Sequence, residues 1–340
     1  MTKLLQSTFV IAALLAALAT AGWYSMWTPG ESYRGPLPPP SGEETMLARR
    51  LTHHVAWLAG EIGERNVWRH DALREAATYI EREFEALRVP DGPAEAGDYA
   101  VGSQTFNVQR RAVRNVEAEI KGALRPDEIV VVGAHYDSVS GSPGADDNAS
   151  GVAALIELAR AMAATRPART VRFVGFVNEE PPFFQTRDMG SLRYAASSRE
   201  RGERIVAMIS VESVGYYAEA PGSQRYPFPF NLFYPSTGDF IAFVGNVGSR
   251  GLLHEALRSF RDHARLPSEG AAAPAWIEGV GWSDHWAFWQ HGYPAIMVTD
   301  TALFRYPHYH TALDTPDKLD YPRMTRLVAG LSHVIEDLAR

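Results

Sequence analysis

Four apolar runs, each followed closely by charged or polar side chains, constrain the fold of this chain more than any other feature. The runs cover residues 129–132, 170–177, 205–211 and 295–299. Continuous apolar runs of this length are typical of strands that are buried on both faces of a sheet. Segments with helical periodicity lie between them. The sequence therefore predicts an α/β fold with a mixed, mostly parallel central sheet covered by helices on both faces.

Histidines and carboxylates follow the apolar runs where the predicted strands end. They are His135, Asp137, Asp146, Asp147, Glu179, Glu180, Glu212, His308 and His310. Ligands bind at the carboxyl edge of an open α/β sheet, so these side chains are expected to meet there. Acids crowded at one edge repel one another unless a cation compensates them, and a divalent metal does so well. The pattern predicts a metal site.

Composition excludes several other functions. The 340 residues include no cysteine, so thiolate metal sites, disulfides and cysteine nucleophiles are ruled out. The net charge is −7, and no basic stripe is visible, which argues against a nucleic-acid partner.

The amino terminus indicates export. After Lys3, no charged residue occurs from position 4 to position 30. A short basic start, an apolar core and small residues are typical of a secretory signal. The apolar character continues through Trp23 and Trp27, which also fits a membrane anchor. We expect residues 1–27 to form an apolar helix of one of these kinds, and both place the rest of the chain outside the cytoplasm.

Two further segments and the main domain complete the organisation. Residues 28–43 are rich in proline and glycine and are predicted to form a tether. Residues 44–340 are predicted to form a single domain. The aromatic and proline-rich segment 217–239 is expected to be a loop that forms a wall of the substrate pocket. Residues 267–281 are predicted to be a turn, and the His53-His54 pair to lie on a solvated helix face.

Several motifs occur in an order that resembles a known family. They are His135-Tyr136-Asp137, Gly144-Ala145-Asp146-Asp147-Asn148, Asn178-Glu179-Glu180, Ser283-Asp284-His285 and His308-Tyr309-His310-Thr311 with Asp314. From about residue 44 to the end, the chain resembles the M28 zinc exopeptidases, the bacterial co-catalytic aminopeptidases. The resemblance implies the zinc aminopeptidase (phosphorylase/hydrolase-like) fold and a peptide substrate. It also implies two zinc ions that share one carboxylate at the carboxyl edge of the sheet.

Carried over motif by motif, the resemblance implies a set of metal ligands. They are His135, Asp146, Glu180, Glu212 and His310. Asp146 would bridge the two ions, His135 and Glu212 would hold one, and Glu180 and His310 the other. Imidazole and carboxylate suit Zn²⁺ at about 2.0–2.2 Å, and two ions about 3.5–4 Å apart need a shared anionic ligand. Five protein ligands leave a position open for water, as in catalytic sites.

Other residues are assigned roles around the metals. Glu179 is expected to act as general base and then as general acid, the alternative being an additional ligand. Asp137 is expected to accept the N–H of the His135 imidazole, the alternatives being a ligand or a turn residue. Asp147 is expected to cap the following helix. Tyr309 either donates a hydrogen bond to the developing oxyanion or simply lines the pocket.

Asp284 and His285 are expected to support the pocket, not the metals. The chain departs from the common family pattern at Pro181-Pro182, which leaves substrate preference open, and at Glu212, where many relatives have Asp.

Three functions are compatible with these features. The leading one is a dinuclear zinc exopeptidase, most simply an aminopeptidase, with carboxypeptidase or dipeptidase specificity left open. The second is a glutaminyl-cyclase-like acyltransferase, which shares the fold and uses a single zinc. The third is a non-enzymatic receptor module, which the complete set of ligands and Glu179 argues against. The oligomeric state, the substrate side chain and the physiological metal stay open at this point.

Overall fold

The computed structural model describes residues 20, 22, 24–88 and 99–340. Within these ranges, no helix combines the length and the apolar character needed to cross a bilayer. The predicted apolar helix at residues 1–27 falls largely outside them. The helices are α1 (Gly42–Val55), α2 (His70–Glu85), α3 (Gly151–Met162), α4 (Gly190–Glu200), α5 (Arg250–His263), α6 (His285–Gln290) and α7 (Tyr321–Leu338).

Eight strands form one mixed sheet in the order β1-β2-β4-β3-β5-β8-β6-β7. Their bounds are β1 (Tyr99–Val108), β2 (Arg111–Ile120), β3 (Arg125–His135), β4 (Arg169–Phe176), β5 (Arg204–Glu212), β6 (Ile241–Gly245), β7 (Ser268–Ala272) and β8 (Ala295–Thr299). Strands β4, β3, β5 and β8 run parallel, as do β6 and β7, whereas β1, β2 and the β6–β8 pair are antiparallel.

Strand β3 shows why the centre of the sheet is apolar on both faces. Val130 and Val132 pack in a core with α1, α2, α3, α5 and α7. Ile129 and Val131 point to the other face and pack with α4 and α6. Successive side chains of a strand alternate between faces, so a strand covered on both sides must be apolar throughout. The structure thus confirms the predicted mixed α/β sheet with helices on both faces.

Two local expectations are wrong. The segment 267–281 was predicted to be a turn, but its first part forms the edge strand β7, which pairs with β6. Of the His53-His54 pair, only His53 faces solvent. His54 is buried, with its Nδ1 2.6 Å from the Tyr79 hydroxyl and its Nε2 3.1 Å from Glu157 Oε1.

The predicted tether lies against the domain beside α5 and β7. Arg261 on α5 donates hydrogen bonds to Thr28 Oγ1 (3.0 Å) and to the carbonyl oxygens of Pro29 (2.8 Å) and Gly30 (3.2 Å). The N–H of Ser268 donates to Ser32 Oγ at 2.8 Å. These contacts hold the chain close to the sheet edge from residue 28 to residue 32.

Candidate metal centre

Strand ends and two loops bring the centre together at one edge of the sheet. His135 ends β3 and Glu212 ends β5, while Glu180 follows the end of β4. Asp147 lies in an irregular turn before α3, and His310 in a loop after β8. Because β3, β4 and β5 are parallel neighbours, their carboxyl ends place these side chains side by side.

The carboxylate of Asp147 lies between two His–Glu pairs. His135 Nε2 is 3.2 Å from Asp147 Oδ1 and 3.2 Å from Glu212 Oε2. His310 Nε2 is 3.0 Å from Asp147 Oδ2 and 3.3 Å from Glu180 Oε2. Each oxygen of one carboxylate therefore serves a different cluster, and the clusters are His135–Asp147–Glu212 and Asp147–Glu180–His310.

These donor atoms fit a pair of zinc ions. Although they are close, His135 Nε2, Asp147 Oδ1 and His310 Nε2 are buried and have no hydrogen-bond partner among the described residues. Buried nitrogen and oxygen lone pairs that face one another need a cation between them, either a proton or a metal ion. Two ligands bound at 2.0–2.1 Å to a tetrahedral ion lie about 3.3 Å apart, close to the spacing seen at the centre. Imidazole and carboxylate are also the ligand types that zinc takes in the absence of thiolates.

Neighbouring groups orient the ligands. Glu212 accepts hydrogen bonds from Ser213 Oγ (3.0 Å) and Ser283 Oγ (2.8 Å). Glu180 Oε1 accepts from the N–H of Val139 at 2.9 Å, which leaves Oε2 facing His310. Such outer contacts fix ligand geometry before any metal binds.

The structure does not place Asp146, the expected bridging residue, in either cluster. Its carboxylate is fully buried on the other side of the turn, where Oδ1 accepts a hydrogen bond from the N–H of Gly215 at 2.8 Å. The carboxylate of Asp147 faces the two histidines and does not cap α3. The N–H of Gly151, the first residue of α3, donates to Asn148 Oδ1 at 3.0 Å instead. The turn alternates its side chains, so neighbouring acids of the same type point in different directions.

Asp137 acts through its backbone and its carboxylate separately. His135 Nδ1 lies 3.2 Å from the carbonyl oxygen of Asp137 but 3.6 Å from its Oδ1. The imidazole N–H therefore donates to the backbone carbonyl, whereas the sequence predicts a hydrogen bond to the carboxylate. The carboxylate accepts from the N–H groups of Glu179 and Glu180, both at 3.1 Å. Asp137 thus fixes the His135 tautomer and positions the Glu179–Glu180 pair.

Glu179 borders the ligands without joining either cluster. Its Oε2 is 3.9 Å from His135 Nε2, and its residue is 7% exposed. Burial, together with the charges of Glu212 and Glu180, raises the pKa of Glu179 despite the proximity of His135. A carboxylate with a raised pKa next to an open metal position is suited to accept and return a proton.

Tyr309 lies beside the centre and lines a cavity. Its ring stacks on that of His310 with the centroids 3.8 Å apart. Burial and the nearby carboxylates raise the pKa of Tyr309, so its hydroxyl stays a hydrogen-bond donor. Tyr309 and Glu212 both line an open cavity, of which Tyr226, Phe230 and Tyr234 form one wall, as expected for the segment 217–239.

The charges at the centre depend on each other. Burial and the charge of Asp147 raise the pKa of Glu180 to about 7. Burial opposes protonation of His310, but the adjacent carboxylates of Asp147 and Glu180 raise its pKa to about 10. Without a metal, the imidazoles therefore hold protons, and a metal must compete with those protons for the same lone pairs.

Several supporting residues were not identified from the sequence. Asp314 belongs to the last sequence motif, but the sequence assigns it no role. Its carboxylate accepts hydrogen bonds from the N–H groups of Asp146 (2.9 Å) and Asp147 (3.2 Å). Arg65 is fully buried and donates to the carbonyl oxygens of Tyr136 (2.6 Å) and Gly144 (2.8 Å). It joins the two chain segments that carry His135 and Asp147. A single arginine in a polar loop carries no sequence signal for such a role.

Asp284 and His285 lie beneath the centre, outside both clusters, as expected. Both oxygens of Asp284 lack a hydrogen-bond partner in the described part of the chain, and burial raises its pKa to about 7. His285 Nε2 donates to the carbonyl oxygen of Val280 at 2.8 Å, on the cavity wall.

Comparisons with known proteins agree with this architecture. A model of peptidase family M28 matches residues 115–335. The chain is 38% identical over 301 residues to the uncharacterized protein YfbL of Escherichia coli K12, covering 86% of this chain and 88% of that protein. It is 23% identical over 287 residues to leucine aminopeptidase 1 of Arthroderma otae, covering 80% and 69%.

Solved structures share the fold at lower identity. BSAP, a zinc aminopeptidase from Bacillus subtilis, superposes with a TM-score of 0.65 at 16% identity, covering 90% of this chain and 96% of that one. The glutaminyl cyclase of Fimbriiglobus ruber has a TM-score of 0.61 at 20% identity, covering 92% and 99%. At these identities, the likeness describes the fold alone.

Proposed function

We propose that this chain, which belongs to peptidase family M28 and is a zinc metallopeptidase, is a dinuclear aminopeptidase. The observation that carries the proposal is the carboxylate of Asp147, whose two oxygens face two separate His–Glu pairs. A site for a single ion would need only one of those pairs. The names of aminopeptidase relatives support the choice of the amino terminus.

The ligands are assigned from the geometry of the centre. His135 and Glu212 would hold one ion, Glu180 and His310 the other, and Asp147 both. Zinc bound in pairs supplies Lewis acidity, lowering the pKa of water from 15.7 towards about 7 and polarising a carbonyl.

The protein's own residues handle the proton and the oxyanion. Glu179 accepts a proton from the attacking water and returns it to the leaving amine, because it lies beside the ligands and has a raised pKa. Asp137 holds the backbone of Glu179 in place. Tyr309, which stays protonated, donates a hydrogen bond to the oxygen of the tetrahedral intermediate.

Metal content and turnover measured on the same sample test this function. We expect about two zinc ions per chain after dialysis and hydrolysis of aminoacyl p-nitroanilides, with amino-terminally blocked analogues left intact. Hydrolysis of only blocked, carboxyl-terminal substrates would contradict the aminopeptidase assignment.

The second candidate is a glutaminyl-cyclase-like acyltransferase. The likeness of the fold to that of the glutaminyl cyclase from Fimbriiglobus ruber is the observation that supports it. About one zinc per chain, with cyclisation of amino-terminal glutamine and no amide hydrolysis, would replace the first proposal with this one.

We also propose that the enzyme acts outside the cytoplasm. The support is the uncharged stretch from residue 4 to residue 30 behind Lys3. Fractionation of cells that express the full chain, with amino-terminal sequencing of the product, should recover it outside the cytoplasm, cleaved if the segment is a signal and membrane-bound if it is an anchor. Recovery of an uncleaved chain in the cytosol would contradict export.

A further inference from the structure

The floor of the cavity leads from the metal centre to a second carboxylate. Glu212 pairs with Thr299, Thr299 with Ala242, and Ala242 with Glu269, across β5, β8, β6 and β7. Directly paired residues point to the same face of a sheet, and all four line the cavity. The row spans three strand spacings, roughly 14 Å between the first and last Cα atoms. Glu269 therefore lies at the far end of the cavity from the metals.

The carboxylate of Glu269 has no fixed partner. It makes no hydrogen bond or ion pair with any residue that the structure describes. Burial raises its pKa, which the more distant charges of Arg261 and Arg34 only partly offset. The guanidinium of Arg261 is already engaged by Thr28 and by the carbonyl oxygens of Pro29 and Ser268. A partly buried carboxylate without a partner is unfavourable unless something else compensates its charge.

The walls of the cavity suit a cation on an apolar stem. They are aromatic, and the aromatic residues include Tyr226, Phe230, Tyr234, Phe240, Trp282 and Phe304. Among the described residues that line the cavity there is no lysine, arginine or histidine, whereas Glu278 adds a further carboxylate at the exposed mouth. Aromatic faces attract cations, and long basic side chains bury an aliphatic stem while their charged end seeks an anion.

We propose that this cavity binds the side chain of the substrate's amino-terminal residue and selects lysine or arginine through Glu269. The inference rests on the proposed aminopeptidase function, which places the scissile bond beside Glu212 and Tyr309. From there the stem lies between the aromatic walls and the cationic end pairs with the free carboxylate. A neutral side chain of equal length leaves Glu269 unpaired, and an acidic one is repelled.

Isosteric substrate pairs test the charge and not the size of the side chain. Arginyl and citrullyl p-nitroanilides are compared, as are lysyl and norleucyl, with the zinc-loaded full chain. For the wild type we expect kcat/KM to favour the cationic member of each pair at least about tenfold. Glu269→Gln should lower kcat/KM for the cationic substrates about 10- to 100-fold relative to kcat/KM for the leucyl substrate. An unchanged arginyl-to-citrullyl ratio in Glu269→Gln would overturn the inference.

Two further variants separate a selective role from damage to the fold. Glu269→Asp keeps the charge on a shorter arm and should retain a preference for the cationic substrates. Glu255→Gln, the matched control on the exposed face of α5 and outside the cavity lining, should change the ratio less than about threefold. If Glu269→Gln fails to fold, a wild-type arginyl-to-citrullyl ratio near one is sufficient to overturn the inference.

Binding measured by calorimetry separates this inference from the function on which it rests. L-Arginine amide and L-citrulline amide are titrated into the wild type and Glu269→Gln. If the arginine amide binds more tightly than the citrulline amide through Glu269 while no aminoacyl substrate is hydrolysed, the result supports cation selection by the cavity and contradicts the aminopeptidase function. Efficient hydrolysis without any discrimination within the pairs contradicts the cavity and supports the aminopeptidase.

Discussion

The metal centre and the aromatic cavity lie at the same edge of the sheet, but they differ in whether hydrogen bonds hold their carboxylates in place. At the centre, both oxygens of Glu212 accept hydrogen bonds from serine hydroxyls, and Glu180 is held by a backbone N–H. In the cavity, Glu269 is held by no described residue and faces open space. Reaction chemistry needs ligands fixed before the substrate arrives. Selection of a side chain needs a charge that is compensated only when the right substrate binds.

The largest effect should come from the acid that is shared between the two clusters. Asp147→Asn replaces one carboxylate oxygen by an NH₂ group, which cannot bind a metal. We expect zinc content to fall from about two to one or fewer per chain and activity to fall to background. Metal analysis after dialysis against a weak chelator, with turnover on the same sample, measures both.

The neighbouring residue is the matched control for that variant. Asp146→Asn changes the same functional group one position earlier, where the carboxylate faces Gly215 and not the ligands. It should keep its zinc. Loss of zinc in Asp146→Asn with retention in Asp147→Asn would restore Asp146 as the bridging residue and overturn the geometry described for the centre.

Glu179→Gln should separate catalysis from metal binding. Glu179 belongs to neither cluster, so the variant should retain zinc while kcat falls by about 10²- to 10⁴-fold through loss of the general base. Single-turnover assays with parallel zinc analysis measure the two effects. Full turnover in this variant would remove Glu179 from the mechanism, and loss of zinc would make it a ligand.

Asp137→Asn should lower kcat by less than Glu179→Gln does. The amide retains one acceptor oxygen but presents NH₂ to a backbone N–H, so the Glu179–Glu180 pair loses one of its two supports. We expect kcat to fall about 10- to 100-fold with KM little changed, as for other groups that orient metal ligands. Asp188→Asn, whose half-buried carboxylate pairs with Arg193 away from both clusters, is the control and should behave as the wild type. A change in KM alone would argue against a positioning role.

The same contrast explains what the sequence predicts well. Strands β3, β4, β5 and β8 are buried on both faces and therefore appear as apolar runs, and four predicted ligands meet at or near their ends. The sequence does not predict which of Asp146 and Asp147 lies between the two clusters, because this depends on the direction in which a local turn points each side chain. No periodicity in the sequence records that direction.

Strand β7 explains what the sequence does not predict. Ser268-Glu269-Gly270-Ala271-Ala272 has no branched or aromatic residue, so it lacks the composition of a strand. It forms one because Gly270 lets Leu253 and Leu257 of α5 pack closely, and because β6 offers a paired edge. Glu269 was missed as a candidate because its strand was missed. Residues that form the metal centre follow strong strand signals, whereas the one that faces the open cavity lies on a weak one.

The smallest expected effect concerns the segment that joins the two regions. Ser283 donates to Glu212, and two residues later His285 donates to Val280 on the cavity wall. Burial lowers the pKa of His285 to about 4, against 6.5 for the ordinary side chain. The unfolded chain therefore binds a proton that the folded chain excludes between these values. Stability contributed by neutral His285 is complete above pH 6.5 and is lost as the pH falls towards 4.

His285→Gln retains a donor for Val280 and removes the titration. Between pH 7 and pH 5, the free energy of unfolding of the wild type should fall by about 2 kcal/mol more than that of the variant, since one proton contributes about 1.4 kcal/mol per pH unit. Urea unfolding at the two pH values measures the difference. Equal pH dependence in the wild type and His285→Gln would show that folding does not lower the pKa of His285 and would contradict its burial as a neutral imidazole.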